Sequence, residues 1–155
     1  MTELTHLDAD GHARMVDVAA RGVTTRTATA SGRVTTSAAA TIRSGDVPKG
    51  DVLAVARVAG IMAAKRTPDL IPLCHPIAVH GVDVAVEVAP DVDEVRISVT
   101  VRTADRTGVE MEALTAVAVA GLTVIDMVKA IDPHAALRDV QVEAKDGGRN
   151  GAWRR

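Results

Sequence analysis

The chain predicts an α+β fold, a ferredoxin-like sandwich in which an antiparallel sheet carries its helices on one face. Three observations lead there. A threonine-rich alternating stretch opens the body, two apolar stretches carry a helical period, and between them lie two segments that alternate apolar and polar residues. With a last strand after the second long helix, the order is β-α-β-β-α-β.

Residues 24–36 (TTRTATASGRVTT) suit a strand or strand pair. Residues 37–43 can form a short helix, closed by Ser44-Gly45-Asp46 and a turn at Pro48. Asp51 can cap a helix running from Val52 to about Lys65, in which Val52, Val55, Ala56, Ala59 and Met62 recur on one face. Pro68, Pro72 and Pro76 then predict irregular chain. Residues 82–88 and 95–101 read as an antiparallel hairpin of half-buried strands, joined by a turn that opens with Ala89-Pro90-Asp91. Thr107-Gly108-Val109-Glu110 matches a capping box that opens a long helix to about Ile131, ended near Asp132-Pro133. Gly121 inside that helix costs about 1 kcal/mol relative to alanine and implies a close contact there. Residues 137–144 make the last strand.

A chain of 155 residues, 47% hydrophobic, supports one domain with a core. Its body is expected at residues 15–145, between a flexible N-terminal segment, 1–14, and a flexible Gly/Arg-rich tail, 146–155. A formal charge of -2 gives no general attraction to nucleic acid or anionic membranes, and 1% aromatic content removes the stacking platforms of single-strand binders. Neither nucleic acid nor membrane is expected as a partner. There is no N-terminal apolar leader, and no apolar run of the length a membrane span requires is expected. The single cysteine can form no internal disulfide, so a cytoplasmic protein is the default. With so few rings, the core must be built from Ala, Val, Leu, Ile and Met, and such a thin core points to a homo-oligomer that buries more surface between subunits.

The ionisable residues gather at the ends of the two long helices. Lys49, in a Pro-Lys-Gly turn before a helix N-terminus, suits either a phosphate contact or a solvated turn; the glycine spacing of a Walker motif is absent. Cys74 and His75 are adjacent, so in extended chain they point apart and form no nucleophile-base pair. Cys74 reads as a buried small hydrophobe rather than a nucleophile, and His75 as either a hydrogen-bonding or acid-base group or a structural histidine. No spacing among the other histidines supports a metal site. Glu110 is assigned to the capping box, whereas Glu112 is free to point into a site. Asp126 and Lys129 are either a surface ion pair or, in partly dry surroundings, an acid-base pair. Glu112 and Asp126 are fourteen positions apart, roughly 21 Å along a helix, so one small ligand touches both only if another subunit completes the site. Lys145 begins a glycine-rich run, 145–151, compatible with a phosphate-binding flap or a disordered basic tail.

These residues carry a resemblance. LTHLD near the start, MVDV at Met15, KGDVLAVARVAGIMAAKRTPDLIPLCHP from Lys49, TGVEMEALTAVAVAGLTVIDMVKAID from Thr107 and the AKDGG tail together resemble the cyclic pyranopterin monophosphate synthase family, the molybdenum cofactor biosynthesis protein C, over nearly the whole chain. The resemblance implies a ferredoxin-like subunit in a homohexamer built as a trimer of dimers, with interface active sites and no cofactor or metal. It implies a small-molecule substrate, a cyclised dihydro-GTP, that becomes the tricyclic pyranopterin with a cyclic phosphate as pyrophosphate leaves. Transient contact with the upstream radical GTP cyclase is compatible with this. Carried over by motif, Asp126, Lys129 and Lys49 are the expected catalytic residues; His75, Glu110, Glu112 and Lys145 are expected to bind substrate, and Cys74 and Met111 to line the site. The tail departs from many relatives, reading GGRNG where they have lysine then serine. The alternative reading, from fold alone, is a noncatalytic oligomeric nucleotide or metabolite sensor.

Overall fold

A computed structural model describes residues 6–155. Its elements are β1 (Thr24–Thr35), α1 (Ala39–Ser44), α2 (Val52–Leu70), β2 (Gly81–Val88), β3 (Glu94–Asp105), α3 (Glu110–Val128), β4 (Ala136–Asp146) and β5 (Trp153–Arg154). The sheet order is β2-β3-β1-β4-β5, with every neighbouring pair antiparallel. Without the short β5 this is the ferredoxin-like arrangement expected, with helices α2 and α3 packed together on the sheet.

The threonine-rich segment is one long strand at the centre of the sheet, not a strand pair. Alternation decides its two faces. Ala28, Ala30 and Val34 are buried under α3, while Thr29, Ser31 and Arg33 stand on the opposite face. There Thr29 and Thr100 hydroxyls meet at 2.9 Å, Ser31 donates to Glu143, and Arg33 spans Glu94 and Asp139 at 3.0 and 2.7 Å. Gly32 lets β1 approach α3, since a Cβ there would lie 2.7 Å from a methyl of Val117.

Three sequence expectations are corrected. Helix α2 runs through Pro68 to Leu70 instead of ending near Lys65; in the last turn the proline forfeits a single ladder bond, which the rest of the helix absorbs. Its buried face is Val52, Ala56, Gly60, Ala63, Ala64 and Thr67, whereas Val55 and Met62 are exposed. Small residues occupy that face because α2 lies close to α3: a Cβ on Gly60 would sit 3.3 Å from the Ala116 carbonyl oxygen. The capping box is not formed either. Val109 is the cap residue, with no side-chain bond, and Glu110 is the first helical residue, its carboxylate engaged by Lys145. Helix α3 ends at Val128, just short of the expected Ile131.

By length and composition α3 is apolar enough to cross a bilayer, contrary to the expectation of no such run. It is the core helix instead: Ala113, Ala116, Val117, Ala120 and Val124 are fully buried against the sheet and α2. Gly121 meets Leu137 of β4, which supplies the close contact its presence implied. The expectation of a flexible N-terminus falls partly on residues 1–5, outside the described residues. Residues 6–14 form a turn in which Asp8 accepts from the backbone N–H of Asp10 and His12. In the tail, Trp153 and Arg154 pair with Lys145 and Ala144.

Candidate active site

Ionisable side chains collect at both ends of α3. At its N-terminal end Glu110, Met111 and Glu112 open the helix, and the irregular segment after α2 brings Cys74 and His75 against them. The Cys74 thiol donates to Glu112 Oε1 at 3.5 Å. Glu112 is only 1% exposed, and its Oε2 has no hydrogen-bond partner among the described residues. Burial raises the Glu112 pKa above the usual carboxylate value, opposed by its own backbone N–H and by the thiol. Burial, and then the Glu112 charge, push the Cys74 thiol up to about 11. Cys74 is therefore a neutral donor at physiological pH, in line with its reading as no nucleophile.

His75 Nε2 lies 2.5 Å from the Val16 carbonyl oxygen. A carbonyl only accepts, so Nε2 donates this bond, and Nδ1 is left for another partner. Lys145 Nζ donates to Glu110 Oε1 at 2.8 Å, both side chains about one-third exposed. Cys74, His75, Glu110, Met111 and Lys145 line an open cleft of about 1260 Å³, together with residues 16–18, 20–22, Arg26 and the glycine-rich 147–150; Glu112 is buried and does not line it.

Arg26 is the functional candidate that sequence reasoning missed. Within an alternating threonine strand an arginine reads as a solvated side chain. Here its guanidinium donates to the Asp105 and Arg106 carbonyls at 3.1 and 3.2 Å and borders the cleft. Gly147 and Gly148 both adopt positive φ, and a Cβ on either would collide, with the Thr25 carbonyl or the Arg26 guanidinium respectively. The glycines therefore serve close packing of the tail on β1.

At the far end of α3, Asp126 accepts from two lysines. Lys129 Nζ lies 2.7 Å from its Oδ1, while Lys49 reaches across from the turn before α2 to Oδ2 at 3.1 Å and to the Asp126 carbonyl oxygen at 2.7 Å. The Lys129 bond, then the Lys49 bond, hold the Asp126 carboxyl below its usual pKa, so it stays ionised well into acid. All three side chains are about half exposed. The partly dry setting anticipated for the pair is absent in the single chain. The structure thus assembles Lys49, Asp126 and Lys129 into one cluster, and Cys74, His75, Glu110, Met111, Glu112 and Lys145 into another. Fourteen helical residues, roughly 21 Å, separate Glu112 from Asp126.

The MoaC family model matches residues 15–148. The chain belongs to the MoaC family. The matched span includes both clusters and ends at Gly148, so β5 lies beyond it. Among similar proteins of the family, the cyclic pyranopterin monophosphate synthase of Streptomyces griseus subsp. griseus is 64% identical over 154 residues, 98% of this chain and 86% of that one. The protein of that name from Nocardioides sp. is 61% identical over 155 residues, 98% of this chain and 95% of its own. Cyclic pyranopterin monophosphate synthase 2 of Mycobacterium tuberculosis (strain H37Rv) is 57% identical over 155 residues, 99% of this chain and 92% of its own.

Proposed function

We propose that the chain is a cyclic pyranopterin monophosphate synthase of molybdenum cofactor biosynthesis, a lyase that acts on a small pterin precursor. Its substrate is (8S)-3',8-cyclo-7,8-dihydroguanosine 5'-triphosphate, and its products are cyclic pyranopterin monophosphate and pyrophosphate. Near full-length similarity to proteins named for that activity supports the reading. The structural observation that carries it is the cleft lined by Arg26, His75, Glu110 and Lys145, where Cys74 bonds the buried Glu112, whose Oε2 has no partner among the described residues. An orphaned buried acceptor is costly unless a ligand N–H meets it, and the nearby cations suit a phosphate chain.

In this mechanism Glu112 and the free Nδ1 of His75 hold the base-derived ring, with Cys74 fixing one Glu112 oxygen and Met111 lining the site. Phosphate oxygens draw Lys145 from Glu110 and meet Arg26. Lys49, Asp126 and Lys129 serve ring opening and reclosure: a lysine ammonium gives up a proton, and Asp126 keeps both ammonium groups in place. Attack of a sugar-derived hydroxyl on the α-phosphorus then forms the cyclic phosphate and breaks the bond to pyrophosphate. Both clusters reach one substrate only across a subunit boundary, which supports a homohexamer, a trimer of dimers, with interface sites. The exposed Val55, Val58 and Met62 of α2 and Leu122 of α3 support the same assembly. The reading places the enzyme in the cytoplasm, in transient contact with the radical cyclase that makes its labile substrate.

The test is incubation of the purified protein with the cyclised dihydro-GTP, following pyrophosphate and pyranopterin together, with Lys129→Ala as control. Both products from the wild type and neither from the variant are expected. Tight binding without products would instead favour a ligand sensor.

A further inference from the structure

Asp132 is a buried carboxylate that the mechanism above does not use. It lies just beyond α3 and is 7% exposed. Its Oδ2 accepts from the Thr36 hydroxyl and from the Ser37 backbone N–H, both at 2.8 Å, and its Oδ1 accepts from the His134 backbone N–H at 2.9 Å. Its own N–H bonds the Val128 carbonyl at 2.9 Å. One residue therefore joins the end of α3, by its backbone, to the β1–α1 connection and the approach to β4, by its side chain.

The end of α3 carries Asp126 and Lys129, and the β1–α1 connection leads through α1 to the turn that carries Lys49. Asp126 and Lys129 lie six and three residues before Asp132, and Lys49 lies five residues after the end of α1. Helix α1 has six residues and no side-chain cap of its own, too short to hold a fixed direction without outside support. Ala39 and Ile42 anchor it in the core, and its opening turn is fixed by a relay from the carboxylate: Asp132 fixes the Thr36 hydroxyl, and that oxygen accepts the Ala38 N–H at 3.1 Å. The Lys49–Asp126 ion pair is half exposed, and such pairs hold their partners weakly. The buried joint is the stronger of the two links between these segments.

We infer that Asp132 is a positioning residue, which keeps the Lys49 turn aligned with Asp126 and Lys129 through Thr36 and α1. This rests on the proposed assignment of those three residues to proton transfer. Misplacement of a catalytic group by about 1 Å costs on the order of 100-fold in rate. Asp132→Ala is thus expected to lower kcat by about that factor while KM stays within about twofold, because the Glu112 cluster that holds the ring is untouched. Asp132→Asn keeps an acceptor and recovers most of the loss.

The experiment measures kcat and KM for wild type, Asp132→Ala and Asp132→Asn, with residue-resolved reductive methylation of Lys49 in the unliganded proteins. Faster methylation of Lys49 in Asp132→Ala, a kcat-selective loss and rescue by asparagine are the expected set. Thr36→Val, which leaves the carboxylate its two backbone donors, repeats the pattern more weakly and replaces Asp132→Ala if that variant does not fold. An unchanged kcat, a loss confined to KM, or unaltered Lys49 methylation overturns the inference. Wild-type protein that yields no product counts against the proposed function instead, and Lys49 methylation still decides whether Asp132 positions the turn.

Discussion

Replacing Glu112 by glutamine is expected to stabilise the protein and to impair it. The side chain is buried, one oxygen accepts from a thiol at 3.5 Å, and the other has no partner among the described residues. Its pKa is raised in the folded chain, so the native state keeps a proton over a pH range in which the unfolded chain releases it. The associated stability is complete below the usual carboxylate value and is lost as pH rises through the raised one. Once pH has risen through the raised value the native protein bears that loss, which glutamine, having no proton to release, avoids. The glutamine amide is still poorly satisfied, so what is gained is the difference between an ionised and a neutral side chain there, on the scale of one unmet buried hydrogen bond, about 1–3 kcal/mol. At about 2–4 °C per kcal/mol for a chain of this size, Glu112→Gln should melt roughly 2–12 °C higher near pH 8, with the gain shrinking toward pH 4. Substrate affinity should fall about 10- to 100-fold, the equivalent of a hydrogen bond to a charged group. Calorimetry across pH at fixed protein concentration, with titration of substrate, tests both. A variant that melts lower than wild type near pH 8, or by the same margin at every pH, would refute the account of Glu112 as a poorly satisfied buried acid.

Cys74→Ser should keep turnover within about tenfold, since serine still donates to Glu112, whereas loss of a covalent nucleophile costs roughly 10⁶-fold; alkylation of Cys74 should be slow at neutral pH and quicken toward about 11. Gly32→Ala should destabilise by about 1–3 kcal/mol in thermal unfolding, because the new methyl meets the buried, β-branched Val117. Mixing equal amounts of Glu112→Gln and Lys129→Ala, dissociated, reassembled and assayed at substrate too dilute for Glu112→Gln to bind, should restore about a quarter of wild-type activity: half the dimers are mixed, and one of their two sites is intact. No recovery would mean that each chain holds a whole site.

The strands were legible because alternation survives wherever one face is buried. β2 and β3 match their expected segments with small extensions, since Val84, Val86, Val95, Ile97, Val99 and Val101 all turn inward. The buried face of α2 was not, because an alanine or glycine pressed against another helix carries no hydropathy contrast with an exposed valine. The capping box misled for a different reason: Thr107 to Glu110 satisfies a local pattern, but Glu110 is engaged by a lysine 35 positions away. Long-range pairing hid part of the site as well. Asp126 with Lys129 could be read from helical spacing, yet Lys49 joins them across 77 positions. Arg26 was hidden by its strand.

The division of the site follows from the same small residues that thin the core. Helix α3 packs through Ala113, Ala116, Ala120 and Gly121 so closely to its neighbours that no ionisable side chain fits along its buried middle. Charge is therefore confined to its two ends, which lie farther apart than a substrate of this size can bridge within one chain. A small-residue core also leaves valines, a methionine and a leucine exposed on the outer helix faces. A two-fold axis beside α3 would run the partner's helix antiparallel, covering apolar surface while bringing the Glu112 end of one chain toward the Asp126 end of the other. One packing choice then accounts for both the two separated clusters and the exposed apolar surface, and the mixing experiment tests the proposed pairing.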